Sequence, residues 1–224
     1  MKQEAITDFH RRLHRWYTSN GRKDLPWRQT TDPYAIYVSE VMLQQTQVKT
    51  VLERYYFPFL ERFPTLKALA EAPQAEVLKC WQGLGYYNRA INLQRAAQAC
   101  NGVLPNTADA LLALPGIGQN TAHALLAFAY HQPVAVLEAN VKRVIHRIFV
   151  LNESTPAQLW DKATVLVDSK KPFDYNQAMM DVGSMICTPK TPHCDECPAQ
   201  PICKGKSNPL AYPTKKTKAA APIR

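Results

Sequence analysis

Long apolar runs are missing from this 224-residue chain: no segment approaches the ~18 uninterrupted apolar residues of a membrane span. Met1 to Asn20 mixes charges with aromatics and lacks the apolar core of a signal peptide. A soluble, intracellular protein is therefore expected. Strand-like runs are scarce too. Val134 to Leu137 stands alone and is too short to make a sheet. No fixed-period repeat or low-complexity tract occurs, which excludes a solenoid. The six histidines show no metal-ligand spacing. Acid is also in short supply: 18 Asp and Glu face 27 Lys and Arg, a net charge of +9. Such a surplus suggests a polyanionic partner, nucleic acid before acidic membrane.

What is present is enough for a core. Apolar residues make up 46% of the chain, so disorder is excluded, and one large domain or two small ones are expected. The pattern reads as helix almost throughout. Residues 4–18 form an amphipathic helix stopped by Asn20-Gly21. Asp32-Pro33 joins an N-cap to a proline in the first turn, and the pattern then runs to about Phe63. Short helices follow Pro64 and lie around 73–82, a longer one runs from about Tyr87 to Cys100, and a short one covers 108–113 behind a Thr107 cap. After the tight turn Leu114-Pro115-Gly116-Ile117-Gly118 come helices from Asn120 to Tyr130 and over 139–150, 156–168 and 173–186. The fold class is all-α.

Four of the six cysteines crowd together as Cys187-x6-Cys194-x2-Cys197-x5-Cys203, stiffened by Pro189, Pro192, Pro198 and Pro201. In a reducing compartment this is a metal loop rather than a disulfide framework. Four soft thiolates suit an iron–sulfur cubane or tetrahedral zinc. Only one pair has the C-x2-C spacing that zinc ribbons present twice, which favours a 4Fe-4S cluster. The loop resembles that of the endonuclease III superfamily of base-excision DNA glycosylases. At the distance from it that this superfamily has, Leu114 to Ala122 looks like a helix-hairpin-helix. Its Gly116 and Gly118 are expected to permit backbone conformations barred to other residues, bringing bare amides and a helix N-terminus against a DNA phosphate.

Ser39-Glu40-Val41-Met42-Leu43-Gln44-Gln45-Thr46-Gln47 falls inside the expected long helix, where Glu40 shares a largely apolar stripe with Ile36, Leu43, Gln44, Gln47 and Val51. A carboxyl desolvated in this way favours its protonated form, as a general acid near neutral pH requires. The plainer alternative is a buried Glu paired with an Arg. The neighbouring glutamines suit recognition of a heterocyclic base.

This segment resembles the MutY-type adenine DNA glycosylases. So do Leu25-Pro26-Trp27-Arg28, Gly83-Leu84-Gly85-Tyr86-Tyr87-Asn88-Arg89-Ala90 and Asn176-Gln177-Ala178-Met179-Met180-Asp181, all in the family's order. The resemblance implies a helix-hairpin-helix glycosylase fold in two helical lobes. One is a barrel over 25–135; the other joins 1–24 to 136–206 with the cluster loop, and 207–224 forms a basic tail. It gives Glu40 the role of protonating adenine N7 and later helping to activate water. The family's second carboxylate is an Asp; here Glu138 stands in its place and reaches about one methylene further, and Asn140 orients it. Bifunctional members carry a lysine where this chain has Asn120, which cannot form a Schiff base, so a monofunctional enzyme is expected. Asn120 also differs from the Ser or Tyr of adenine-specific members. Gln45 and Tyr86 match the residues that intrude at the lesion, and Arg28, Gln44 and Gln177 fall in the base pocket. The metal ligands are Cys187, Cys194, Cys197 and Cys203.

The implied partner is double-stranded DNA with a mispaired or damaged base. No membrane partner is expected, and neither a heptad nor an exposed apolar run suggests more than a monomer. The implied location is a bacterial cytoplasm, at the nucleoid. Full-length family members carry a further C-terminal domain that reads 8-oxoguanine, which this sequence does not contain, so opposing-base preference stays open. Two rivals remain: a thymine or uracil mismatch glycosylase of the same superfamily, and a lesion-binding protein with weak chemistry.

Overall fold

The computed structural model describes residues 1–214, and no strand occurs among them. Two compact units are formed.

The first comprises Arg22–Val136 with Ser169–Phe173. It contains α2 (Pro33–Met42), α3 (Val48–Arg54), α4 (Tyr56–Arg62), α5 (Leu66–Glu71), α6 (Gln74–Cys80), α7 (Asn88–Ala99), α8 (Ala108–Leu112) and α9 (Gln119–Phe128). At its centre, α2 is apolar almost all round, with every residue from Tyr34 to Ser39 buried, and packs against α4, α7 and α9. Its start is as the sequence indicates: the Asp32 carboxylate accepts from the amides of Tyr34 (3.1 Å) and Ala35 (3.2 Å), with Pro33 in the first turn. Phe59 lies edge-on to Phe63 (5.0 Å) and Trp81 (5.8 Å), filling the space beside it. In α7, Ala90, Ala96 and Ala97 are fully buried. The Gln94 amide donates to the carbonyls of Leu69 (3.2 Å) and Ala72 (2.7 Å), satisfying the end of α5.

The continuous helix expected from Pro33 to Phe63 is instead three. α2 stops at Met42, Leu43–Gln47 form a turn in which Gln45 is left-handed (φ 58°), and a second break falls at Tyr55. Thr107 makes no side-chain cap on α8.

The other unit comprises Met1–Gly21, Leu137–Asp168 and the described residues from Asp174 on; most of the expected basic tail over 207–224 lies outside the described residues. α1 (Gln3–Asn20) buries Ile6, Phe9, Leu13 and Tyr17, the helical spacing of one inward face. The His14 ring meets the Asp168 carboxylate at 2.8 Å. α10 (Ala139–Phe149) and α11 (Pro156–Val165) pack together, and the latter is opened by a complete Thr155–Gln158 capping box. α12 (Pro172–Asp181) does not run on regularly to 186: Val182–Ile186 form a π-helical turn packed on α10.

Candidate functional site

The Glu40 carboxyl projects from the last turn of α2 and is half-buried. Because the helix ends two residues later, Gln44, Gln47 and Val51 do not continue its stripe; Gln44 and Gln45 are exposed in the turn. The physical cause is Arg89. Its Nη1 donates to the carbonyls of Val41 (2.9 Å), Met42 (2.9 Å) and Gln44 (2.6 Å), taking up groups a continuing helix would have used. Its Nη2 donates to Leu84 O (3.2 Å), Gly85 O (3.1 Å) and Thr46 Oγ1 (3.3 Å). Burial draws the guanidinium's pKa down from its ordinary value. Sequence reasoning quoted this arginine within a motif and gave it no part. Tyr86, beside it, is 64% exposed and left-handed (φ 49°). Arg28 closes the short 3-10 turn Pro26–Arg28 and donates to Arg22 O (3.4 Å).

The hairpin between α8 and α9 holds the two glycines in different states. Gly116 is left-handed (φ 74°), and a Cβ there would stand 2.5 Å from Asn92 Cβ. Gly118 is ordinary extended backbone (φ −90°, ψ 174°), so the expectation that it needs a glycine-only conformation is corrected. It stands in open space as the N-cap of α9. Asn120 sits half-buried in the first turn of that helix.

In the other unit, Glu138 is the N-cap residue of α10 and Asn140 lies in its first turn, both half-buried. Arg143 Nη2 donates to Asn140 Oδ1 (2.9 Å) and to Gly183 O, and its Nε to Cys187 O (2.8 Å). Burial lowers its pKa, with Cys187 and Glu138 opposing the shift. Gln177, on α12, is 3% exposed.

Cys187, Cys194, Cys197 and Cys203 line one cavity, walled also by Ile186, Pro192 and Pro209. Burial pushes the Cys197 thiol up to about 12 and that of Cys203 to about 11. No three His, Cys, Asp or Glu side chains among the described residues converge closely enough for a single metal ion. Arg147 is 2% exposed and donates to Cys187 Sγ (3.3 Å), Cys187 O (3.2 Å) and Thr188 O (2.8 Å). It too was missed, although it falls on the apolar stripe between Val144 and Ile148 where a charge is out of place.

With this geometry, residues 38–168 match the model of the HhH-GPD superfamily base excision DNA repair proteins, and the chain belongs to that family. Adenine DNA glycosylase of Buchnera aphidicola subsp. Baizongia pistaciae is 39% identical over 89% of the chain. That of Rattus norvegicus is 41% identical, also over 89%. The chain spans 59% and 42% of those relatives' own lengths. A thermostable thymine-DNA glycosylase has a similar structure, with a TM-score of 0.83 and 29% identity over 91% of this chain and 97% of that one.

Proposed function

We propose that the chain is a monofunctional DNA glycosylase that removes adenine mispaired with 8-oxoguanine or guanine and leaves an abasic site. The observation that carries this is Glu40, half-buried in the last turn of an apolar helix and followed at once by a turn that exposes Gln44 and Gln45. Activity in the adenine glycosylase relatives supports it. Protonation of the adenine ring by Glu40 lets the base leave neutral as its bond to the sugar breaks; water then forms the new bond to the cationic sugar. Glu138 supplies the second carboxylate, Asn140 orients it, and Arg28, Gln44 and Gln177 contact the base. Asn120 has no amine with which to trap the sugar. Amides at Gly116 and Gly118 and the start of α9 hold a phosphate of the duplex.

A 4Fe-4S cluster fits the cysteine loop. Four thiols line one cavity, and only Cys194 and Cys197 have the C-x2-C spacing that a zinc ribbon presents twice. Cys187, Cys194, Cys197 and Cys203 would hold it, and it would staple the loop. Iron and sulfide analysis, with absorbance near about 400 nm, checks this.

The activity test uses duplexes with one mispair each, followed by alkali. Cleavage at A:8-oxoguanine and A:G is expected, with a loss of about 100-fold or more in Glu40→Gln. Undiminished cleavage by that variant would remove Glu40 from the chemistry. Cleavage at T:G alone would favour the second reading, a thymine glycosylase, which the 0.83 TM-score motivates.

A further inference from the structure

Two exposed side chains beside α2, Gln45 and Tyr86, stand on left-handed backbone (φ 58° and 49°), a conformation that L-residues disfavour. They lie on separate turns, and one half-buried guanidinium holds both. Arg89 donates to Gln44 O (2.6 Å) just before the first and to Gly85 O (3.1 Å) just before the second. Its guanidinium carbon stands 5.6 Å from the Tyr86 ring centroid and 5.5 Å from that of Trp81. Trp81 Nε1 fixes the second turn again through Gly85 O (3.1 Å). Capping α2 would account for the bonds to Val41 and Met42. It does not account for a second set of bonds that keeps a solvent-facing tyrosine in a strained pose with little packing behind it.

We propose that Arg89 is a positioning residue for base extrusion, presetting Gln45 and Tyr86 as a pair of tips that enter the duplex as the target base leaves the stack. Ordering the tips beforehand removes a cost otherwise met during extrusion. A planar two-pronged donor is needed to hold two turns at once, and a lysine ammonium cannot replace it. The inference rests on the glycosylase reading and deepens it.

The test uses the full chain carrying Glu40→Gln, so that the glycosidic bond survives, and a duplex with 2-aminopurine opposite guanine. The fluorescence of this adenine analogue rises when it unstacks. Adding Arg89→Lys is expected to slow that rise by on the order of tenfold, while affinity for undamaged duplex stays within about threefold and the thermal midpoint is little changed. Arg89→Ala is expected to do more; should it fail to fold, the lysine variant decides. An unchanged rise in Arg89→Lys would overturn the proposal, leaving the arginine as a helix cap. So would a slower rise matched by equal losses in midpoint and in undamaged-duplex affinity. The two readings separate cleanly. No rise with Glu40→Gln alone would sink the glycosylase reading and the inference with it. A normal rise with Tyr86→Ala would overturn the proposal while leaving the glycosylase reading in place.

Discussion

Gly116 and Gly118 occupy one turn and are glycine for different reasons. The first is left-handed, and a side chain there would press on Asn92; the second is extended and faces open space. Gly116→Ala is therefore expected to cost about 1–3 kcal/mol and lower the thermal midpoint. Gly118→Ala should fold as well as the parent and bind duplex more weakly, because its methyl keeps the phosphate from the bare amide. Calorimetry and fluorescence anisotropy separate the two effects, and equal midpoint losses would contradict the distinction. Glu138 gives a second contrast. On the proposed reading Glu138 is the second carboxylate and reaches about one methylene further than an Asp would, and a misplacement near 1 Å changes rates by up to ~100-fold. Glu138→Asp is expected to speed single-turnover adenine excision and Glu138→Gln to slow it. A slower Asp variant would mean that the surrounding pocket is fitted to the longer acid.

The π-helical turn after α12 belongs to the scale of elements. Gly183 within it lies so close to α10 that a Cβ would come 2.8 Å from Asn140 Cβ and 2.9 Å from its carbonyl oxygen. Backbone cannot yield as a flexible side-chain tip can. Gly183→Ala should therefore destabilise the protein by about 1–3 kcal/mol, in line with overpacked cores, and displace Asn140 and Arg143 together. Urea unfolding checks the first effect, and excision rates per folded molecule check the second. This turn also marks the boundary of what the sequence discloses. Asp32-Pro33 announces the start of α2 because cap and proline act within one turn, and the cysteine spacing announces four thiols around one cavity because they are near neighbours in the chain. The end of α2 was illegible: Arg89, which draws its last carbonyls away, is 45 positions from Gln44. Likewise Arg143 and the buried Arg147 of α10 answer to the carbonyls of Gly183 and Cys187, some 40 residues on. Local chemistry can be read from the chain; a bond to a distant carbonyl cannot.

Across the whole molecule, buried phenols set an alkaline limit that falls on both units. Tyr34 donates to Phe63 O (2.7 Å) and Tyr130 to Leu104 O (2.8 Å), while Tyr175, in the other unit, packs edge-on to Phe9. Burial pushes the pKa of Tyr56 from 10.0 up to about 12, and those of Tyr34, Tyr37 and Tyr175 further in the same direction. A folded-state pKa above the unfolded value means that the unfolded chain releases the proton first. The stabilisation is thus complete below pH 10.0 and disappears as pH rises through about 12. The thermal midpoint should be insensitive to these groups near neutrality and fall steeply once pH passes 10.0. The phenolate absorbance that Tyr56→Phe removes should then appear together with the loss of helical circular dichroism, not ahead of it. Tyr56→Phe removes one such proton, so its midpoint is expected to fall less steeply with pH over that interval. Appearance of that Tyr56 signal while the helices stay intact would show that its hydroxyl reaches water in the native state, contrary to its burial.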